Sequence, residues 1–204
     1  MGELKMTKLK MLMLVVAATA CLMALVGVGS ASATVLCKTA TSPCGATYGV
    51  GTKFNATLKS GTTTTFETGL GSIECSESEM AGEISEAGSK SLTVKIPLGT
   101  YKFSLCNGLI TIIVKPKLIL HWKPIFRFSV TLELGIKITL HLGGVACTYG
   151  GESNVGESVG EPTTEIKVNG TLQKVEGGFL CPTTATWKGE YTVNAPTPLY
   201  AAES

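Results

Sequence analysis

The chain has 204 residues, 44% of them hydrophobic and 16% charged, with a formal net charge of +2. Seventeen basic residues less Lys5, Lys8 and Lys10, and fifteen acidic residues less Glu3, leave 14 of each sign beyond residue 33. That balance argues against the broad basic footprint of a nucleic-acid binder. Every acidic residue is a glutamate, which removes Asp-based calcium loops, Ser-His-Asp triads and aspartyl dyads.

The first 33 residues read as a secretory signal peptide. Lys5, Lys8 and Lys10 form a positive start, Met11 to Val28 is an apolar run, and Ala31-Ser32-Ala33 is a small-x-small cleavage pattern before Thr34. An uncleaved membrane anchor is the rival, because the run is about the minimum length of a spanning helix. Cys21, after Ala18-Thr19-Ala20, faintly resembles a lipoprotein site, but the apolar run continues past it. Export implies a secreted or extracytoplasmic location in the cell envelope. Beyond residue 33 lies about one domain, 34–204, with a possible subdivision near Asn107-Gly108.

Six cysteines follow the signal: Cys37, Cys44, Cys75, Cys106, Cys147 and Cys181. An even count in an exported chain reads as a structural disulfide framework. Six cysteines allow about 15 connectivities. Pairing of neighbours, Cys37–Cys44, Cys75–Cys106 and Cys147–Cys181, is the expected one. There is no C-x-x-C, and His121 and His141 are the only histidines, so no metal or other cofactor is expected.

Nothing after residue 34 has a helical period. Strands are expected at 52–59, 63–68, 71–78, 80–85, 91–97, 100–106, 109–115, 117–122, 126–142, 163–169, 171–176 and 184–194, mostly separated by glycine-containing turns. The fold class is all-β, an antiparallel β-sandwich or barrel-like fold stapled by disulfides. Every even-numbered residue from Ile110 to Leu142 is apolar. One straight strand of that span would be about 110 Å long, so the chain must turn. Paired residues that are both even require a loop of odd length. A three- or five-residue loop around Lys123 is therefore expected, between strands near 117–121 and 125–134. Pro116 belongs at an edge or bulge, because it cannot donate to a ladder.

Five features could carry chemistry. Lys115, Lys117, Lys123, Arg127 and Lys137 share the outward face of 109–142 and form a possible polyanion-facing strip; solvated charges that deter edge aggregation are the plainer explanation. The segment 110–142 could instead insert into a membrane as a β-hairpin. Gly156–Gly160 matches G-x-S-x-G, yet no histidine follows His141, and Ser158 reads as a loop serine in a glycine-rich stretch. Glu77 and Glu79 fall on one strand face and could in principle serve a glutamate-dependent hydrolase. Asn55-Ala56-Thr57 and Asn169-Gly170-Thr171 fit the glycosylation sequon.

The segments "ATVLCKTATSPC" (33–44), "GSIECSES" (71–78) and "FLCPTTATWKGEYTVNAPTPLY" (179–200) resemble a group of small exported, cysteine-containing β-rich proteins of high-GC bacteria that has no assigned activity. The resemblance implies export, a bacterial source and a disulfide-bonded β fold, and brings no catalytic residues with it. The function expected is that of an exported, non-enzymatic β protein acting in binding, adhesion or envelope structure. Its partner would be a cell-wall polymer, a glycan or another envelope protein, with membrane contact through the signal segment only unless 110–142 inserts.

Overall fold

Alternation of Thr, Val and Ile with polar residues favours extended chain, because branched side chains pack well on a pleated surface. The computed structural model describes residues 34–41, 44–88, 93–114, 116–122, 130–159 and 165–203. Among the described residues every regular element is a strand. The ladders form a meander that closes on itself, all of it antiparallel. β2 (Lys53–Leu58) and β3 (Thr64–Thr68) lie end to end along β4 (Gly71–Glu83). β4 pairs with β6 (Val94–Cys106), and the start of β6 pairs with β8 (Lys117–Trp122). β7 (Leu109–Val114) and β8 lie end to end along β9 (Val130–Leu142). β10 (Val145–Val159), β11 (Glu165–Glu176) and β12 (Thr184–Ala195) follow in order. β12 then pairs with β3 and β2, which closes the circuit as a barrel. Two small additions lie outside it. β5 (Glu86–Ala87) borders β6, and β1 (Thr34–Cys37) pairs with β13 (Tyr200–Glu203) as a separate ribbon.

The barrel encloses one continuous apolar core, contributed by strands on both sides of Asn107-Gly108. Trp187 stacks on Phe66, their ring centroids 5.7 Å apart, and Phe103 and Tyr101 meet them edge-on. Gly170 lies opposite Trp187 on β11. One set of polar groups that enters the core is satisfied there. Thr64 Oγ1 accepts from Trp187 Nε1 at 2.9 Å and donates to the Lys188 carbonyl at 2.9 Å. Tyr191 Oη donates to Ser78 Oγ at 3.1 Å, and Ser78 Oγ donates to the Lys102 carbonyl. Tyr101 Oη and Tyr149 Oη are buried without a hydrogen-bond partner in the protein.

The single-parity segment is a long hairpin. β7 and β8 form one arm and β9 the other, with even residues facing even residues: Ile110↔Leu140, Ile112↔Ile138, Leu118↔Leu134 and Leu120↔Leu132. The register slips by two residues between Ile112 and Leu118, in single steps with Val114 opposite Lys137 between them, so that even residues face even residues again on β8. The register after Pro116 centres on Phe126, not on Lys123. The last described pair, Trp122↔Val130, leaves seven residues between its members, an odd number as the parity requires, and the expected three- or five-residue loop falls among them. Those residues, 123–129, lie outside the described residues, as does the expected start of the second strand at 125. Leu118, Leu120, Ile136, Ile138 and Leu140 are all buried in the core. At the next turn parity flips. Gly143 and Gly144, at φ 58° and 80°, make a two-residue turn that pairs Leu142 with Val145, so β10 buries odd residues, Cys147 and Tyr149.

The expected strand list needs three kinds of correction. Residues 145–159 are strand β10, so Ser158 sits in a ladder opposite Val130 and Ile166 and is not a loop serine. The separate pieces 71–78 and 80–85, 91–97 and 100–106, and 163–169 and 171–176 are each essentially one strand. The ribbon strands β1 and β13 were not expected. Inside β4, Gly82 marks a close approach of the neighbouring strand and not a turn. A Cβ on Gly82 would lie 2.2 Å from the Pro97 carbonyl oxygen.

Candidate functional site

The disulfides join Cys37 to Cys44, Cys75 to Cys106 and Cys147 to Cys181. Cys75 and Cys106 face each other across the β4–β6 ladder. Cys147 near the start of β10 holds Cys181 in the loop that follows β11. Three intramolecular disulfides are typical of extracytoplasmic proteins.

Of the basic strip, Lys117 is exposed on β8. Lys137 Nζ bonds Glu176 at 2.6 Å. Lys115, Lys123 and Arg127 lie outside the described residues. Elsewhere on the outer wall, lysines and glutamates meet in pairs: Lys188–Glu67, Lys102–Glu79, Lys95–Glu86 and Lys53–Glu83. Lys59 bonds Glu165 at 2.8 Å, and this hydrogen bond raises the lysine pKa and lowers that of the carboxyl. Such exposed pairs contribute about 0–1 kcal/mol each.

Glu77 and Glu79 do share a groove, of about 220 Å³, with Ser76, Ser78, Ser104, Thr57 and Lys102. It forms where β4 breaks its alternation, turning both Ser76 and Glu77 outward. The chemistry of an acid–base pair requires one carboxyl to hold its proton near neutrality. Glu79 is shifted the other way. The hydrogen bond from Lys102, at 2.9 Å, and a second from Asn55 Nδ2 outweigh its burial and hold its carboxyl below the usual value. The groove is therefore a charge-paired surface whose second glutamate is stabilised as an anion. A wider depression, about 850 Å³, lies on the same wall between Val50, Phe54, Ile84 and Pro97, and the Lys53–Glu83 pair borders it. Among the described residues no group of three or more His, Cys, Asp or Glu side chains could hold a metal.

One end of the barrel differs from the walls. Four loops meet there: Gly69-Leu70, Asn107-Gly108, Gly143-Gly144 and 177–183. Contacts follow one another round that end. A Cβ on Gly69 would touch Pro182, and one on Gly177 would meet Cys181 and the Ala146 carbonyl. Leu109 pairs with His141, and Asn107 exchanges hydrogen bonds with the backbone of Glu74. None of the four loops carries a charged residue. Phe179 is 94% exposed, Leu105 70% and Leu109 60%, with Leu70, Val175 and Leu180 also exposed. Leu105 adopts φ 51°, a left-handed conformation that costs a leucine roughly 1–2 kcal/mol, and its side chain ends in solvent. Two disulfides, Cys75–Cys106 and Cys147–Cys181, anchor these loops. Sequence reasoning missed this end, because isolated leucines beside turns do not stand out. The available signal was four glycine-containing turns, alternate ones along the chain, all without charge.

Against known proteins, no family model, curated protein or solved structure matches the chain.

Proposed function

We propose that the chain is an exported, non-enzymatic β-barrel protein that works by binding in the bacterial cell envelope, with its shape supplied by the filled core and the disulfides. The observation that carries this reading is the disulfide-anchored end of the barrel, where the four loop tips carry no charge and large apolar side chains face solvent. Several large apolar side chains exposed together at one end, on loops without charge, are what an interaction site in a soluble protein presents. Supporting it, Trp187, Tyr191, Thr64 and Ser78 bond to one another or to backbone in the core, and Glu79 is held as an anion by Lys102. The protein, purified from the cells that export it, should be retained on at least one isolated envelope fraction: cell wall, wall glycan or membrane. Passage through all three without retention would sink the reading.

A further inference from the structure

The occupant of the apolar end follows from its shape and from the charges around it, and the inference rests on the binding reading above. Phe179, Leu180, Leu70, Leu105, Leu109 and Val175 project from separate loops or from the strand ends beside them. Glycines flank the tips, as in Gly177-Gly178 before Phe179 and Gly69 before Leu70. Protein partners need close shape complementarity over the contact. Separate projecting tips lack that continuous surface, whereas a fluid surface closes round them. Below the loops the strands carry both signs in balance, in the pairs Lys188–Glu67 and Lys137–Glu176 and in Glu74 beside Asn107 and Lys174, whose Nζ bonds the Cys181 carbonyl. That collar matches headgroups that themselves carry both signs, and has no excess of lysine to draw an anionic surface. The disulfides keep the loops in place before contact, so little ordering is needed on docking.

We infer that this end docks on a zwitterionic lipid surface, with the six apolar side chains entering the interfacial layer and the paired charges at headgroup level. Docking is shallow and needs no strand to cross the bilayer.

The test uses the full chain with phosphatidylcholine vesicles. Phe179→Trp places a reporter at the tip, and its added emission should shift to the blue and be quenched by brominated phosphatidylcholine. That local readout is independent of whatever else holds the protein to the vesicle. Leu105→Ser combined with Leu180→Ser should weaken quenching of that reporter at least tenfold in lipid concentration, while Val50→Ser, exposed at the other end, should leave it unchanged. Raising the salt to half-molar should have no effect. Emission that stays unquenched overturns the inference, as does docking that requires anionic lipid. So does a lipid-free dimer that the same serine variants dissolve, since the end would then be a contact between two copies. If vesicles fail while wall fractions still retain the protein, the lipid inference falls and the binding reading stands.

Discussion

Thr64 is fully buried and serves the barrel through its hydroxyl. Thr64→Val keeps the shape and removes that oxygen. Three contacts go with it: the 2.9 Å bond from Trp187 Nε1, the 2.9 Å bond to the Lys188 carbonyl and the 3.4 Å contact from Tyr191 Oη. Tyr191 keeps Ser78 as an acceptor, so it is not stranded. Trp187 does lose its acceptor in a fully buried site, and an orphaned buried donor costs about 1–3 kcal/mol. The lost bond to Lys188 adds about 1 kcal/mol. The new methyl returns about 0.8 kcal/mol of burial. A net loss of about 2 kcal/mol is expected, which lowers Tm by roughly 4–8 °C in a domain of this size. Guanidinium unfolding of the oxidised protein should show an earlier midpoint with an unchanged slope. Thr111→Val, on an exposed strand position, should stay within about 0.5 kcal/mol. Adding Trp187→Phe makes a double-mutant cycle, in which the threonine change should cost less once no indole N–H waits for it. A Thr64→Val protein within about 0.5 kcal/mol of the parent would refute the reasoning, because the indole would then have another way to be satisfied.

Other expectations concern covalent staples, close packing and pH. Removing Cys75–Cys106 or Cys147–Cys181, which close loops of 31 and 34 residues, should cost about 3–4 kcal/mol each, against about 2 kcal/mol for the seven-residue Cys37–Cys44 loop; calorimetry of paired Cys→Ala variants reads the order, and equal losses would contradict it. Gly82→Ala should destabilise by several kcal/mol, since its Cβ meets backbone that no rotamer change can clear, and amide exchange should quicken first along β4 and β6. Burial raises the pKa of Tyr101, well above the ordinary value, and that of Tyr191. Their folded values lie above the unfolded one, so stability is full below the ordinary tyrosine range and falls as pH rises beyond it. Tyrosinate absorbance from these two should therefore appear together with unfolding, and early ionisation in a folded protein would disprove the burial argument. Glu79 and Glu165 work in the opposite sense. Their depressed values contribute stability above the ordinary carboxylate range that is lost as pH falls through the folded values.

Local chemistry was well written in the sequence, and distant geometry was not. Alternation announced β structure along most of the walls, and the even-numbered run from Ile110 to Leu142 announced even-on-even pairing, found at Leu118↔Leu134 and Ile110↔Leu140. It could not place the turn, because parity is unchanged by a shift of several residues along the partner. β10 escaped notice because its buried residues, Cys147 and Tyr149, precede a glycine-, serine- and glutamate-rich stretch that reads as loop; neighbours on both sides supply the hydrogen bonds that make it a strand. The close of the barrel, β12 on β2 and β3, joins residues more than a hundred positions apart, and no local pattern encodes it. Ser158, Glu77 and Glu79 show the same limit for sites. Spacing put the two glutamates in one groove, but only the register brought Lys102 to Glu79.

The placement of the disulfides makes the molecule divisible. Each bridge is confined to one side of the stretch between Cys106 and Cys147, so none crosses it. A single cut between Trp122 and Val130 would yield two covalently independent pieces, one with two bridges and one with one. They would remain joined by three ladders, β8 and β7 against β9, β2 and β3 against β12, and β1 against β13. Such a nicked protein would separate into two bands under denaturing, non-reducing conditions and migrate as one in native buffer. Separately produced halves, each oxidised on its own, could then reassemble by fragment complementation, a route to labelling one half of the barrel at a time.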